Sequence, residues 1–414
     1  MSIFRTESDY PMIAFEEAKR ILAERILPLA PRPASLGTIL AGTVLAESLT
    51  AEEQVPPFDA STMDGYAVIA ADGLVKRRVL AEQNAGPIAN VTLSSGECVR
   101  IMTGAALPAG ADAVIPVEWT REEQGWMATE MAAQIGLNVR SRGSDVARGQ
   151  TVLSGGTVLG PAEIGLLAAL GIYQPLVYPT PRVAILATGD ELASQDAVPA
   201  PGQIRDSNSY VLAAAVRAIG CTVTTVRQIP DSASQLSSAI GSAAAEADLV
   251  LTTGGVSMGT RDLIKPVLEN LGTVHFGRVA VKPGLPLTFA TVLGVPVLGL
   301  PGNPVSTLVG FEVVVRPVLR ALASQPARWR PERQVRLDHA IRHEPARLEF
   351  QRAQVFARDG AWWARTTGSQ ASSRLLSLVG ANALLLIPRG TGDLDAGTTV
   401  TAMMIEEPEI EQPS

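Results

Sequence analysis

The sequence predicts a multidomain α/β protein built around a central, mostly parallel sheet. The chain has 414 residues, which allows about two to four domains at roughly 100–200 residues each. Hydrophobic residues make up 46% and charged residues 18%, a composition that can bury sizeable cores. Strand-like and helix-like segments alternate between residues 182 and 322, and this alternation is typical of an open α/β sheet.

The N-terminal segment predicts a helix followed by a short strand. Residues 11–27 (PMIAFEEAKRILAERIL) place apolar side chains on one stripe at helical spacing. The prolines of residues 28–33 end this helix because proline cannot continue its hydrogen bonds. Residues 38–50 predict a short strand with a loop on either side. We expect this segment and residues 138–178 to form one discontinuous domain, with boundaries 1–53 and 138–178.

Two zones of the chain have the pattern of small β-rich domains. Residues 54–137 contain short apolar runs separated by Gly, Pro and Asp, which is typical of strands joined by hairpins. We expect them to form a domain inserted into the N-terminal one. Residues 333–406 alternate short strands with Gly-containing turns, and they predict a small β-barrel over residues 327–414.

Residues 179–326 predict the sheet domain. Strands are expected within 182–192, 222–231, 248–253, 274–281 and 295–300. Helices are expected at 206–220 (with a Ser/Asn cap), 232–247, 262–271 and 304–322.

Polar loops follow four of these strands. They are the stretches ATGDE (187–191), IPD (229–231), TTGGVSMG (252–259) and LPGNP (300–304). Ligands of open α/β sheets bind beyond the carboxyl ends of the strands, so we expect the four loops to converge on one binding edge.

The loop at 252–259 suits an oxyanion. Gly254 and Gly255 carry no side chain, so their amide groups could point at a ligand. Thr253 and Ser257 add hydroxyl donors. The alternative from the residues alone is an ordinary strand-to-helix turn.

Charged residues near these loops predict both an anion and a cation. Five acids lie on or near the loops: Asp190, Glu191, Asp206, Asp231 and Asp262. Mg²⁺, which takes carboxylate and phosphate oxygens, would relieve their repulsion of a phosphate ligand. A solvated helix cap is the alternative for any one acid, above all for Asp206. Arg278 and Lys282 are an even number of residues apart, which predicts them on one strand face, either beside a phosphate or as solvated cations.

Several function classes are disfavoured. The net charge is −7 without a Lys/Arg block, which argues against a large nucleic-acid interface. No run of about 18 apolar residues predicts a membrane span. The N-terminus lacks a signal-peptide pattern and Cys98 and Cys221 predict reduced thiols, so we expect a cytoplasmic protein. A zinc site at His339 and His343 is disfavoured because no further ligand is near them in sequence.

Nine stretches, in this order, resemble one protein family. They are PPFDASTMDGYAV, RIMTGAALPAGADAVIPVE, GSDVARGQ, LATGDEL, GQIRDSN, LTTGGVSMG, KPG, GLPGNPVS and GSQ. Together they resemble the molybdopterin molybdenumtransferases, the MoeA proteins, whose relatives include the E domain of gephyrin. Each stretch alone is modest, but the ordered set covers nearly the whole chain and is specific.

The resemblance implies a homodimer with four domains per subunit: an elongated N-terminal domain, an inserted domain, a sheet domain resembling molybdopterin adenylyltransferases, and a C-terminal β-barrel. The implied reaction inserts molybdate into adenylylated molybdopterin, with Mg²⁺-assisted release of AMP. The implied cleft joins the sheet and C-terminal domains of one subunit to the inserted domain of the other. A molybdopterin adenylyltransferase and molybdoenzyme-specific chaperones are the expected partners.

The resemblance also implies the site residues. Catalytic roles carry over to the matching acids and threonine: Asp59, Thr103, Asp145, Glu191, Asp231 and Asp262. Substrate binding is assigned to Thr253, Gly254, Gly255, Ser257, Arg278, Lys282, Pro301, Asn303, Pro304 and Ser369. Glu191 and Asp262 are assigned to magnesium. From the residues alone, helix capping explains Asn303 and Pro304, and a turn explains Asp59.

The chain departs from the family pattern in its cations. Leu285 stands where the family usually has the second lysine of Lys-Pro-Gly-Lys-Pro. The alternative function is therefore a non-catalytic or divergent paralogue that binds or delivers a modified molybdopterin cofactor. The retained acids favour the enzyme, and Leu285 favours the carrier.

Overall fold

The computed structural model describes residues 10–39, 41–87, 90–194, 196–255, 263–326, 328–407 and 409–410. The chain divides into two compact units. The first unit comprises the described residues within Met1–Arg32, Gly42–Val44 and Tyr178–Ser414, and the second comprises those within Pro33–Ala41 and Leu45–Val177. The four-domain division of the sequence stays a prediction.

The helices of the described residues are short. They are α1 (Phe15–Arg25), α2 (Pro161–Ala169), α3 (Asn208–Ala218), α4 (Ala233–Glu246), α5 (Ile264–Leu271), α6 (Pro304–Gly310) and α7 (Arg316–Leu322). A π-helix, Phe311–Val315, joins α6 to α7, so the helix predicted at 304–322 is continuous. In the described part of the chain, no helix combines the length and apolar character that a bilayer span requires.

The strands fall into three successive groups. The first group is β1 (Arg32–Pro33), β2 (Val44–Leu45), β3 (Leu49–Thr50), β4 (Ala60–Ser61), β5 (Gly65–Val68), β6 (Arg77–Gln83), β7 (Glu97–Ile101), β8 (Ala113–Pro116), β9 (Thr120–Glu123), β10 (Trp126–Thr129), β11 (Val139–Arg140), β12 (Thr151–Leu153) and β13 (Leu176–Tyr178). The second is β14 (Arg182–Thr188), β15 (Leu192–Ala193), β16 (Ile204–Arg205), β17 (Thr222–Ile229), β18 (Leu249–Thr253), β19 (Gly272–Phe276), β20 (Val281–Lys282), β21 (Thr288–Val292) and β22 (Val295–Leu300). The third is β23 (Glu332–Leu337), β24 (Leu348–Arg358), β25 (Ala361–Thr366), β26 (Ala383–Ile387), β27 (Thr399–Met404) and β28 (Glu409–Ile410).

The second unit is β-rich. Its largest sheet has the strand order β8-β5-β7-β6-β10-β9, and only the β6–β7 pair of its described pairs is parallel. Side chains of β5, β7, β8 and β10 bury one face of this sheet. Strand β4 pairs with β11 and β3 pairs with β12, so the chain before the sheet runs beside the chain after it.

The central sheet of the first unit has the order β17-β14-β18-β22-β21-β19. The first four strands are parallel, and β21 and β19 are antiparallel additions. Successive residues of a strand face opposite sides. Val183 and Ile185 of β14 therefore join a core with α3, α6 and α7, while Ala184 and Leu186 join a core with α4 and α5. Burial on both faces explains why these strands read as unbroken apolar runs.

The C-terminal strands close into a small barrel. Strands β24, β25, β23, β27 and β26 pair in turn, and β26 pairs again with β24. Strand β20, from the chain between the sheet strands, pairs in parallel with β24. Helix α1 belongs to the same unit, where the ring of Phe15 packs edge-on against Phe350 at 5.4 Å.

The predicted fold class is confirmed, but two local predictions are wrong. Residues 38–50 form no single strand: Leu36–Thr38 is a 3-10 turn, and two separate two-residue strands follow it. Neither serine nor asparagine caps α3 with its side chain. Asp206 does so instead, because its Oδ1 accepts a hydrogen bond from Ser209 N at 3.0 Å.

Candidate functional site

Four strands of the sheet end at one edge, as the sequence predicts. Strands β17, β14, β18 and β22 are parallel neighbours, so the loops that follow them start side by side. Asp190, after β14, accepts a hydrogen bond at Oδ1 from the backbone N–H of Asp231, after β17, at 3.1 Å. This bond ties two of the four predicted loops together and brings two of the predicted acids into contact.

A second tie joins the loops after β18 and β22. Asn208, the first residue of α3, donates through Nδ2 to Thr253 Oγ1 at 2.9 Å and to Gly302 O at 2.8 Å. Thr253 Oγ1 in turn donates to Pro301 O at 3.4 Å. The hydroxyl of Thr253, predicted to bind an anion, therefore has protein partners on both sides. Asn208 is a positioning residue that sequence reasoning noticed only as a helix cap.

The glycines at the end of β18 have a steric reason to be glycine. Gly254 has φ +88° and Gly255 has φ +61°, in the left-handed region that disfavours side chains. A Cβ on Gly254 would lie 2.1 Å from the carbonyl oxygen of Thr188, at the end of β14. The close approach of two strand ends thus requires the bare backbone. Ser257 and Asp262, also assigned to this site, lie outside the described residues.

Of the two predicted metal ligands, the structure describes Glu191. Glu191 is exposed, and its carboxylate folds back over Gly189, where a Cβ would meet Glu191 Oε2 at 2.5 Å. Within the described ranges, no group of three or more His, Cys, Asp or Glu side chains is arranged to hold a metal ion. A magnesium site here would therefore draw on one or two carboxylates together with oxygens of a ligand.

The two predicted cations are not on one strand face, so that prediction is wrong. Strand β20 contains only Val281 and Lys282, and the chain bends between Phe276 and this strand. The backbone carbonyl of Arg278 instead accepts a hydrogen bond from Ile13 N at 3.1 Å. The period-2 argument fails because it assumes an uninterrupted strand.

A cavity of about 420 Å³ opens beside Lys282. It is lined by Lys282, Pro283, Gly284, Leu285, Pro286, Pro301, Asn303, Ser306, Arg347, Gln370, Ala371 and Ser372. The lining thus combines the Lys-Pro-Gly loop, the Pro-Gly-Asn-Pro loop and the barrel segment that follows Gly-Ser-Gln. Two side chains of this lining are cationic and none is acidic. Its chemistry is that of an anion site.

The barrel segment is anchored to α6 and to β24. Asn303 Nδ2 donates to Ser372 Oγ at 3.2 Å, so its side chain bridges to the barrel rather than capping α6. Pro304 is the first residue of α6, as the capping interpretation predicts. The guanidinium of Arg352, which is fully buried, donates to the carbonyl oxygens of Ser369 and Ala371 at 3.2 and 3.3 Å. Ser369 itself is exposed and is not part of the cavity lining.

The three remaining predicted residues lie in the second unit. Asp59 Oδ1 accepts a hydrogen bond from Arg142 N at 2.6 Å, and Asp145 pairs with Arg140 at 3.4 Å. Both acids are exposed, on segments joined by the Val55–Val146 bridge. Thr103 donates to Asp64 Oδ1 through its N–H at 2.7 Å and its hydroxyl at 2.8 Å.

The hydrogen bonds from Thr103 have an electrostatic consequence. The backbone N–H first, and then the hydroxyl, stabilise the carboxylate of Asp64 and lower its pKa. Asp64 is thus the acceptor that orients Thr103.

Sequence reasoning missed Arg347 and Ser372 of the cavity lining. Arg347 precedes β24 in a polar stretch of ordinary composition, and Ser372 follows Gly-Ser-Gln by two residues. No motif marks either residue, because the barrel segments that carry them reach the cavity only through tertiary pairing with β20 and α6.

Three family models match successive parts of the chain. Residues 13–171 match the MoeA N-terminal region (domain I and II), and residues 184–321 match a probable molybdopterin binding domain. Residues 334–405 match the MoeA C-terminal region (domain IV).

Curated relatives and a solved structure agree with these matches. The chain is 38% identical over 400 residues to molybdopterin molybdenumtransferase 2 of Mycobacterium tuberculosis, covering 94% of this chain and 98% of that one. It is 36% identical over 451 residues to gephyrin of Dictyostelium discoideum, covering 96% of this chain but only 63% of gephyrin. A crystal structure of the molybdopterin biosynthesis MoeA protein from Pyrococcus horikosii superposes with a TM-score of 0.81 at 30% identity, covering 96% of this chain and all of that one.

We predict that Gly254→Ala destabilises the sheet more than an equivalent glycine substitution without a steric clash. The matched control is Gly294→Ala, between β21 and β22, because Gly294 has φ +81° but open space around its Cβ position. The control should cost about 1 kcal/mol of unfolding free energy, and Gly254→Ala about 2 kcal/mol more. Calorimetric unfolding measures both, and equal losses would contradict the close approach of Gly254 to Thr188.

We predict that Thr103→Val raises the pKa of Asp64, because one of the two hydrogen bonds to its carboxylate is lost. Thr103→Ser, which keeps the hydroxyl, should leave it unchanged. Since the folded pKa is depressed, the stability that Asp64 contributes is present above its unfolded pKa and is lost as pH falls through its folded one. Carboxyl-carbon NMR titration of both variants tests this, and an unchanged Asp64 midpoint in Thr103→Val would refute the role of the hydroxyl.

Proposed function

The chain belongs to the MoeA family of molybdopterin molybdenumtransferases, and we propose that it inserts molybdate into adenylylated molybdopterin with Mg²⁺-dependent release of AMP. The observation that carries this proposal is the cavity beside Lys282. Molybdate is a tetrahedral dianion, and the cavity offers two cations, Lys282 and Arg347, without an acidic side chain in its lining. Asn303 and Ser372 add an amide and a hydroxyl donor beside them, whereas the Gln370 amide already donates to Arg352 O and Gly368 O.

The neighbouring edge of the sheet supports a site for the adenylylated pterin. The loops after β14, β17, β18 and β22 lie beyond the carboxyl ends of parallel strands, where α/β sheets bind their ligands. Pro301 and Asn303 belong both to this edge and to the cavity lining. The two sites are therefore contiguous, as transfer of an oxometallate to a bound pterin requires.

Magnesium fits the acids at this edge. Proteins hold Mg²⁺ with one or two carboxylates plus phosphate oxygens and waters, so a preformed cage is not needed. Glu191, an exposed acid whose carboxylate lies over Gly189, would be one ligand, and we assign Asp262 as the second. When bound, the ion would neutralise charge that develops on the phosphates as AMP leaves. Lys282 would orient and stabilise the anionic reactants during the same step.

We further propose that the protein acts in the cytoplasm as a homodimer. Asp59, Thr103 and Asp145 would then contribute to catalysis, with Asp64 holding Thr103 in place. A molybdopterin adenylyltransferase would supply the substrate, and molybdoenzyme-specific chaperones would take the product.

The second candidate function, a carrier of a modified molybdopterin without catalysis, is favoured by one observation. Leu285 lines the cavity at the place where the family usually has a lysine. The cavity of this chain therefore has one cation fewer than the family pattern implies.

We predict that the purified protein releases AMP when given adenylylated molybdopterin, molybdate and Mg²⁺. Lys282→Met should lower this rate at least about tenfold, because a cation positioned on a reacting anion contributes at least about 1.4 kcal/mol to the transition state. Lys76→Met, which changes an exposed lysine in the second unit, serves as the matched control. Molybdate binding without AMP release would support the carrier instead.

We predict that Leu285→Lys strengthens molybdate binding. A third cation on the lining should improve affinity about fivefold, which is on the order of 1 kcal/mol for a charge pair in partly aqueous surroundings. Leu285→Met, similar in size but neutral, is the control. Isothermal titration with sodium molybdate compares the three proteins, and equal affinities for the lysine and methionine variants would show that charge at this position does not matter.

A further inference from the structure

A buried acid lies directly behind the cationic wall of the cavity. Strands β20 and β24 pair in parallel with Lys282 opposite Glu349. Lys282 Nζ lies 3.2 Å from Glu349 Oε1. The lysine side chain is 36% exposed, whereas that of Glu349 is 2% exposed. The carboxylate thus holds the ammonium group of Lys282 from the protein side, and the exposed side of that ammonium group faces the cavity.

A buried histidine stands on the far side of this carboxylate. The His343 side chain is fully buried. Its Nδ1 lies 2.7 Å from Thr391 O, and its Nε2 lies 3.2 Å from Arg347 O and 3.8 Å from Glu349 Oε2. All three partners are acceptors. A neutral imidazole has one N–H, so its other ring nitrogen would direct a lone pair at an oxygen. The imidazolium has an N–H on each nitrogen and can donate to an acceptor on both sides.

The other charged groups around the His343 ring are consistent with its imidazolium form. Asp393 Oδ1 accepts from the backbone N–H of His343 at 2.9 Å, on the main-chain side. Arg352, further along β24, is close enough to feel Glu349: burial lowers its pKa to about 10, and Glu349 opposes that shift. Glu349 Oε2 has no hydrogen-bond donor among the described residues. A buried carboxylate is costly unless nearby cations compensate it. Lys282 lies 3.2 Å from Glu349 Oε1, and the His343 ring lies 3.8 Å from Oε2.

We propose that His343 and Glu349 are positioning residues for Lys282. The imidazolium of His343 balances Glu349, so the carboxylate holds the lysine at the cavity without cancelling its attraction for a bound oxyanion. Without the charge of His343 behind the carboxylate, Glu349 would neutralise Lys282 and anion binding would weaken. The inference rests on the proposed function, in which this cavity takes molybdate, and it adds that anion capture depends on a buried histidine that does not touch the anion.

The first test is equilibrium dialysis of the full chain with sodium molybdate at neutral pH. His343→Gln should bind molybdate about fivefold more weakly than the wild type, because glutamine keeps a hydrogen-bond donor but carries no charge. His339→Gln, a barrel histidine outside the cavity lining, is the matched control and should keep the wild-type affinity.

The second test is a double-mutant cycle. Adding Glu349→Gln to His343→Gln removes the uncompensated carboxylate, so affinity should return to within about twofold of the wild type. A purely structural role of His343 would lower the unfolding temperature, and the second substitution would not restore binding. If His343→Gln does not fold, Glu349→Gln alone decides: its molybdate affinity should not fall, because the positive charge near the cavity rises by one, and a weaker affinity would overturn the charge argument.

The outcomes separate this inference from the function on which it rests. Absence of molybdate binding by the wild type would overturn both. Wild-type affinity in His343→Gln, or a double variant that binds no better than His343→Gln, would overturn only the roles of His343 and Glu349.

Discussion

The parallel pairing of β20 with β24 is the interaction on which the candidate site depends. It is only two residues long, Val281 beside Leu348 and Lys282 beside Glu349. Yet it attaches the loop between β19 and β21 of the sheet to the closed barrel. Together with the hydrogen bond from Asn303 to Ser372, it holds the Lys-Pro-Gly loop opposite the segment that carries Gln370 and Ser372. The cavity exists because strand β20, from the chain between two strands of the sheet, pairs with the edge of barrel strand β24.

Charge is segregated along this part of the first unit. Three of the predicted acids, Asp190, Glu191 and Asp231, follow β14 and β17, where Asp190 and Asp231 are linked by a hydrogen bond. The cations Lys282 and Arg347 line the cavity, with the loop after β22 common to both regions. An oxyanion and a metal-bound phosphate make opposite demands on their surroundings, because the first needs cations and donors and the second needs carboxylates. Separate but adjoining regions satisfy both without leaving a ligand beside a charge of its own sign.

The sequence predicted the class of fold and the edge at which the four polar loops begin side by side, because both depend on local patterns. Apolar runs alternating with helical periodicity define a parallel sheet, and polar loops after such strands mark its carboxyl edge. The structural roles of single residues were harder to predict from the sequence. Gly254 looked like a cradle for a ligand, but its closest neighbour is Thr188 O of an adjacent strand. The spacing of Arg278 and Lys282 predicted that both lie on one strand face, but Arg278 lies outside strand β20, where the chain bends. Arg347 carried no motif at all, since only the strand pairing of the barrel brings it to the cavity.

Leu285 is best understood together with the charges around Lys282. A lysine held by a buried carboxylate attracts an anion only in so far as another group balances that carboxylate. In a cavity with an additional lysine, an uncompensated Glu349 would weaken anion binding little, because the second lysine would still carry its full positive charge. In this chain, Leu285 removes that reserve, and Lys282 and Arg347 are the cations left on the lining. The buried histidine behind Glu349 consequently has more influence over anion capture here than it would have beside the usual Lys-Pro-Gly-Lys-Pro sequence.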